Sequence, residues 1–276
     1  MNWAPTAWRD GALVPTETLT LPAMSFAALY GFSLFETLRT YGGRPFLLDK
    51  HVVRMKSGAE ELRLGAPELS ESVISAVLGA NNLSDAAVRM TLVAMGDDWD
   101  DLRPSLTVAV RAFEGYPEEW YRDGIDLVVA PWRRCAQDAT VGLKSGNYLT
   151  CLRAREFAHR AGAQEALLRN CAGQVTEGAV TNLFAVVADG TLVTPPVEDG
   201  LLPGVTRAVV LNLAREAGIR AAERSIAPED LGAFREAFVT NSLMEIVPVR
   251  RIGDRPVATC PGETTRLLAE AYSQLH

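Results

Sequence analysis

Residues 31–48 read GFSLFETLRTYGGRPFLL, and the change of pattern that follows them limits what this chain can become. The alternation across 31–41 predicts a half-buried strand, and Gly42-Gly43 offers the positive-φ pair of a tight hairpin before a second strand, RPFLL. Asp49 is the expected cap of a helix in which Val52, Met55, Ala59 and Leu62 recur in three- and four-residue steps until Gly65 stops it. A period of two that gives way at once to a helical period requires a helix packed on a sheet. A second helix is predicted from about Ser70 to Gly79, followed by the strand-like runs AAVRMTLVAM and SLTVAVRAF.

These elements make a small α/β domain over 1–115. The segment EGYPEEWYRDG, polar and broken by Pro117 and Gly124, is the expected linker at 116–124. Beyond it the strands shorten (IDLVVA, QEALLRN, QVTEG, NLFAVV, TLVTPP) and alternate with helices near 148–161 and 206–217, where Gly162 and Gly218 are expected stops. A larger second domain over 125–276 follows, so the expected fold class is α/β (α+β) in two unlike domains.

The net charge of -7 and a sequence pI near 5.1, with no basic stripe, exclude a nucleic-acid-binding surface, which needs clustered positive charge. The beginning of the chain has neither an apolar signal run nor an Arg/Ser-rich amphipathic pattern, and no stretch approaches membrane-spanning length. A cytoplasmic protein without a membrane partner is expected. Cys135, Cys151, Cys171 and Cys260 show no metal or disulfide spacing, and His51, His159 and His276 are isolated, so no metal site is expected.

Three stretches carry candidate chemistry. LKSGNYLT contains Lys144, one of only three lysines among 27 Lys plus Arg. Arginine replaces a solvated lysine for most purposes but cannot serve as an amine nucleophile or proton shuttle, whereas a partly desolvated lysine does both. GQVTEGAVTNLF places Glu177 beside glycine at the start of an apolar run, where a carboxylate near backbone needs a partner. LLPGVTRAVVLNLAREAG puts Val205 and Thr206 after Gly204 at a predicted helix start, a phosphate site by geometry and dipole. Taken singly, each has a plainer reading, as a surface lysine, a turn glutamate and a simple helix cap.

Together with their neighbours the three resemble one family. GFSLFETLRTYGGRPFLLDKHVVRM, GLKSGNYLT, EALLRNCAGQVTEGAVTNLF, TPPVEDGLLPGVTR and AFVTNSLMEIVPV occur in the order found in class IV aminotransferases. This group includes D-amino-acid and branched-chain aminotransferases and aminodeoxychorismate lyase, all using pyridoxal 5'-phosphate. The resemblance implies the D-amino-acid aminotransferase-like fold, with a small α/β domain and a larger C-terminal pseudo-barrel domain, and a homodimer acting on a small-molecule amine.

Residue by residue, the resemblance makes Lys144 the lysine that holds pyridoxal phosphate covalently and moves protons at it. Glu177 faces the pyridine nitrogen, and Tyr148, expected one helical turn after Lys144 on the same side, bonds the phenolic oxygen. Arg54 pairs with the phosphate. Val205 and Thr206 donate to the same phosphate, and Asn241 and Ser242 bring a further hydroxyl or amide. Phe35 lines the substrate pocket, and Arg89 reaches the dimer interface, the substrate side or a structural partner inside the small domain. Where many members carry Gly-Asp-Gly, this chain has Gly31-Phe32-Ser33, a departure that bears on the substrate and leaves the cofactor residues untouched.

The turn TNSLMEIVPV resembles that of aminodeoxychorismate lyase, so the expected reaction is conversion of 4-amino-4-deoxychorismate to 4-aminobenzoate and pyruvate for folate synthesis. The alternative is a class IV aminotransferase acting on D-amino or branched-chain amino acids with a 2-oxo acid acceptor. More remote is a non-catalytic pyridoxal-phosphate-binding protein, against which the joint retention of Lys144, Glu177 and Tyr148 argues.

Overall fold

The computed structural model describes residues 2–65 and 68–276 and divides into two compact units. Unit one comprises 1–115 with the short segment 143–147, and unit two comprises 116–142 with 148–276. Among the described residues no helix is long and apolar enough to cross a membrane.

Unit one is a six-stranded sheet in the order β2-β1-β6-β5-β3-β4. Its elements are β1 (Thr6–Arg9), β2 (Ala12–Pro15), α1 (Phe26–Tyr30), β3 (Ser33–Tyr41), β4 (Arg44–Pro45), α2 (Leu48–Glu61), α3 (Glu71–Ala80), β5 (Ala86–Ala94) and β6 (Pro104–Ala112). The expected hairpin forms: Gly42 and Gly43 take φ of 54° and 84°, and Tyr41 pairs with Arg44. The return strand is shorter than RPFLL, because Leu47 turns into the left-handed region at φ 55° and starts α2 itself. Asp49 therefore lies inside the first turn, where its charge favours the helix dipole without capping.

Strand alternation sorts β3 into two faces. Leu34 and Leu38 join Met55 and Ala59 of α2, Ile74, Val77 and Leu78 of α3, and Val88, Met90 and Leu92 of β5 in one apolar core. On the other face Phe35 pairs with Thr91 and Thr37 with Arg89, a polar and aromatic surface. The segment 143–147 adds to β3 as a minimal extra strand. Phe35 N donates to Lys144 O and Gly146 N to Ser33 O, each at 2.8 Å, around a Leu34–Ser145 bridge.

Unit two holds α4 (Glu118–Asp123), β7 (Ile125–Arg134), α5 (Leu149–Arg160), β8 (Glu165–Asn170), β9 (Val175–Gly178), β10 (Asn182–Val186), β11 (Leu192–Thr194), α6 (Val205–Glu216), β12 (Ala221–Glu223), β13 (Glu236–Asn241), β14 (Glu245–Ile252), β15 (Arg255–Pro256) and α7 (Glu263–Ser273). Eight strands run β12-β11-β10-β13-β14-β7-β8-β9, with β15 beside β14. The parallel pairs β7–β8 and β11–β12 are the ones joined through a helix, α5 and α6, as parallel neighbours require. Val175 N, at one end of the sheet, donates to Ile226 O, just past the strand at the other end, at 2.8 Å. This bond brings the ends together as a pseudo-barrel around Leu127, Leu167, Leu183, Val193, Val239 and Val247.

The segment expected to be a linker is folded. Tyr116 stacks on Trp120 one helical turn later, Trp120 and Tyr121 pack on the core of unit two, and Tyr121 Oη donates to Met244 O at 3.2 Å. Aromatic residues at helical spacing outweigh the polar composition that suggested a linker. Core packing sets a direct expectation: replacing fully buried Leu38 with Ala lowers unfolding free energy by about 2–5 kcal/mol. The same change at exposed Val53 shifts it by less than about 0.5 kcal/mol. Equilibrium denaturation of both variants checks this.

Candidate active site

In unit one the site is organised by adjacent residues of β3 that point to opposite faces. Phe35, 5% exposed, lies on the face of β3 opposite Leu34 and Leu38 and beneath two basic side chains, with the Arg89 guanidinium 3.5 Å and Lys144 Nζ 4.7 Å from the ring centroid. Arg89 Nε also donates to Thr91 Oγ1 at 3.3 Å. Gly146 permits the approach of the Lys144 segment, since a Cβ there would fall 2.1 Å from Ser33 Oγ and 3.2 Å from Gly31 O.

Glu36 points into the helix-covered face and is 1% exposed. Arg54 Nε donates to its Oε1 at 2.7 Å and Arg54 Nη2 to its Oε2 at 2.6 Å, a bidentate pair, while His51 Nδ1 lies 2.7 Å from Oε2. Burial alone would raise the Glu36 pKa, but the Arg54 and His51 hydrogen bonds outweigh it and bring the group to about 2. Burial pushes His51 below the usual imidazole value, opposed by Glu36 and assisted by the nearby charges of Arg54 and Lys144. The imidazole is neutral at pH 7 and donates from Nδ1. Arg54 was expected from the sequence; Glu36 and His51 were not, although a glutamate between Leu34 and Leu38 breaks an otherwise apolar face.

Unit two gathers the remaining candidates. Glu177 ends up in a fully buried strand, β9, and accepts from Arg134 Nη2 at Oε1 at 2.5 Å, and from Leu202 N at 3.0 Å and Asn182 Nδ2 at 3.4 Å at Oε2. This supplies the partner the buried carboxylate required, from residues the sequence had not marked. Arg134 Nη2 also donates to Gly200 O at 2.7 Å, and Asn182 Nδ2 to Leu202 O at 3.0 Å, which ties the loop before α6 to the glutamate. At Gly204 a Cβ would sit 2.0 Å from Asn182 Oδ1, so only glycine allows this approach.

The first intrahelical bond of α6 is Ala208 N to Gly204 O, which leaves the amides of Val205 and Thr206 at the helix start. Thr206 is 2% exposed, and its Oγ1 is buried without a partner among the described residues. Tyr148 donates to Ala179 O at 3.2 Å, and burial, with nearby negative groups, raises its pKa so that it keeps its proton. Helix α5 begins only at Leu149, so Lys144 and Tyr148 do not share a helix and the expected i, i+4 relation lapses. Asn241 is committed to the turn after β13: its Oδ1 accepts from Leu243 N and Met244 N at 2.9 and 2.7 Å, and its Nδ2 donates to Val180 O at 3.2 Å. Ser242, next in the chain, brings a hydroxyl to the same corner.

This inventory fits pyridoxal phosphate group by group. Lys144 is an amine for an aldehyde, Glu177 a buried carboxylate for a ring nitrogen, and Thr206 an unpartnered hydroxyl at the positive end of a 12-residue helix for a phosphate.

The amino-transferase class IV profile matches residues 33–252. The branched-chain-amino-acid aminotransferase of Escherichia coli K12 is 33% identical over 283 residues, covering 96% of this chain and 91% of that protein. A provisionally named branched-chain-amino-acid aminotransferase of Methanocaldococcus jannaschii is 34% identical over 274 residues, covering 96% and 94%. The crystal structure of the Escherichia coli enzyme superimposes with a TM-score of 0.91 at 31% identity, over 99% of this chain and 94% of that one. A T.th. branched-chain aminotransferase solved with pyridoxamine 5'-phosphate gives 0.89 at 30% identity, over 98% and 93%. The same T.th. protein has been solved with N-(5'-phosphopyridoxyl)-L-glutamate.

These findings overturn the expected lyase. A provisionally named 4-amino-4-deoxychorismate lyase from Legionella pneumophila does superimpose, at 25% identity and a TM-score of 0.85 over 95% of this chain and 97% of that one, behind the aminotransferases on both measures. The lyase reading rested on a few residues around 241–243, and the structure gives Asn241 a turn-closing role that carries no information about the reaction.

The buried Glu36 cluster gives stability a defined pH dependence. Because its folded pKa is depressed from 4.5 to about 2, its contribution is full above pH 4.5 and is lost as pH falls toward 2; by linkage it amounts to about 3 kcal/mol. His51, also depressed, adds to the loss from about its unfolded value of 6.5 downward. Glu36→Gln is expected to be less stable at neutral pH and to show a flatter decline below pH 4.5, measured by denaturant unfolding at a series of pH values.

Proposed function

The chain belongs to the class IV aminotransferase family, whose members use pyridoxal phosphate, and from that premise we propose that it exchanges amino groups between branched-chain amino acids and 2-oxo acids. The observation that carries this reading is 33–34% identity with branched-chain aminotransferases over 96% of the chain.

When bound, pyridoxal phosphate supplies an aldehyde that condenses with amines and a ring that accepts the electron pair left when the substrate loses its α-proton. Lys144 Nζ, held beside Phe35 with the Arg89 cation on the same ring, is the base that takes that proton and, once protonated, the acid that returns it. Glu177 accepts from Arg134, Leu202 and Asn182, and these donors fix its orientation, as a partner for a ring nitrogen requires. Tyr148 retains its proton, shared with Ala179 O at 3.2 Å, and its hydroxyl would be the donor to the phenolic oxygen of bound pyridoxal phosphate.

Arg54, the Val205 and Thr206 amides and the Thr206 and Ser242 hydroxyls are donors suited to a phosphate. Phe35 offers an apolar face to a branched side chain, and Arg89 a cation to a carboxylate. A homodimer of 29.9 kDa chains and a cytoplasmic location belong to the same reading.

Borohydride reduction followed by peptide mass spectrometry is expected to find a pyridoxyl group on Lys144. The purified protein is expected to convert leucine, isoleucine and valine to their 2-oxo acids when a 2-oxo acid acceptor is present, and Lys144→Ala to lower kcat by roughly 10^3-fold. A protein that stays colourless and unmodified in excess pyridoxal phosphate refutes the reading, and one that takes the cofactor but exchanges no branched-chain amino group refutes the substrate.

A further inference from the structure

A buried glutamate in the apolar face of a strand needs a physical reason. The residues that share its face, Leu34 and Leu38, are core, and any apolar side chain at position 36 would extend that core without desolvating a charge. Instead Glu36 takes two hydrogen bonds from Arg54 and one from His51, and all three groups belong to unit one. Arg54 and His51 lie three residues apart on α2, one turn, so a single helix face meets a single carboxylate.

The backbone on either side of this carboxylate has a second connection. Phe35 N, one peptide before Glu36, donates to the carbonyl of Lys144 at 2.8 Å. The path from Lys144 backbone to Arg54 guanidinium thus runs through one hydrogen bond, one residue of β3 and one bidentate ion pair. An arginine side chain carries about 2 kcal/mol of rotamer entropy, so an unheld Arg54 would sample many positions relative to Lys144. Bound through Nε and Nη2, its planar fork has one orientation, and the position of Nη1 is set with it.

We infer that Glu36, buttressed by His51, is a positioning residue that sets the span between Arg54 and Lys144, so that a phosphate held by the arginine lies at the correct reach from the lysine amine. This rests on the proposed role of Arg54 as a phosphate ligand. Glu36 acts through Arg54 and contacts no part of the cofactor itself. His51 donates to Oε2 from a second direction and keeps the carboxylate in the rotamer that Arg54 needs. The chemistry to be recognised is a phosphate monoester attached to an aldehyde, and the phosphate half alone should feel the loss of Glu36.

The experiment titrates the full-length chain, stripped of cofactor, with pyridoxal 5'-phosphate and separately with pyridoxal, which lacks the phosphate. Wild type is compared with Arg54→Met, Glu36→Gln, their double variant, His51→Leu and His51→Asn. Glu36→Gln is expected to raise the Kd for pyridoxal phosphate about tenfold or more while changing that for pyridoxal less than about twofold. The double variant should bind no worse than Arg54→Met within about twofold, since the two residues act in series. His51→Leu should weaken pyridoxal phosphate alone, and His51→Asn, which keeps a donor near Nδ1, should recover most of the loss.

If Arg54→Met weakens pyridoxal phosphate and Glu36→Gln does not, the inference is overturned and the phosphate role of Arg54 stands. Equal weakening of both ligands by Glu36→Gln means general damage and also overturns it. If Arg54→Met leaves pyridoxal phosphate binding unchanged, the phosphate assignment fails and the inference falls with it. Should Glu36→Gln show no cooperative thermal transition, Glu36→Asp carries the test: it keeps the charge but shortens the strut by one methylene, and wild-type affinity in that variant overturns the proposal.

Discussion

The backbone pairing between 143–147 and β3 is the contact through which the candidate site in unit one is built. Two hydrogen bonds of 2.8 Å, Phe35 N to Lys144 O and Gly146 N to Ser33 O, hold a segment that belongs to no regular element. A lysine side chain has four flexible methylenes, and its usefulness as a base depends on where its backbone is fixed. The same strand positions Phe35 under the amine and Glu36 against Arg54. Alternation sends those neighbours to opposite faces, so one short run of β3 distributes an aromatic wall to one side and an anionic strut to the other.

Unit two reaches comparable rigidity by a different physical route, dense hydrogen bonding inside a buried, partly closed sheet. Glu177 accepts from Arg134, Leu202 and Asn182, and the buried carboxylate of Glu165 accepts from Ala166 N at 2.8 Å, Val180 N at 3.0 Å and Thr181 Oγ1 at 3.2 Å. The turn at 178–181 therefore hangs from Glu165, while Tyr148 and Asn241 donate to its carbonyls at Ala179 and Val180. Burial raises the Glu165 pKa despite these donors, the opposite of Glu36, where a full cation faces the carboxylate. One carboxylate organises backbone and the other organises a guanidinium, and the local charge decides which way each one titrates.

The elements legible in the sequence were those with a local cause. The Gly42-Gly43 hairpin, the helix starting near Ser70, the paired strands of unit one and the helix stops at Gly162 and Gly218 all follow from periodicity or positive φ. Where the reading failed, a packing partner or a backbone turn that periodicity does not encode had decided. The expected linker is a helix because Trp120 and Tyr121 find the core of unit two, and the expected cap Asp49 is bypassed because Leu47 makes the turn. The lyase reading failed for a related cause: a three-residue turn chosen for its likeness was in fact shaped by Asn241 bonding its own neighbours.

The sequence by itself determined the family and marked the candidate groups, because a lysine after a turn, a glutamate beside glycine and a Gly-Val-Thr helix start are contiguous patterns legible from residue type. Only the tertiary structure decided how those groups are held. Arg54 meets Glu36 across 18 residues, Arg134 meets Glu177 across 43 and Asn182 meets Leu202 across 20. No periodicity encodes such pairs, since a buried charge takes whichever donors the packed chain brings within about 3 Å, and that geometry exists only once strands and helices have closed around it.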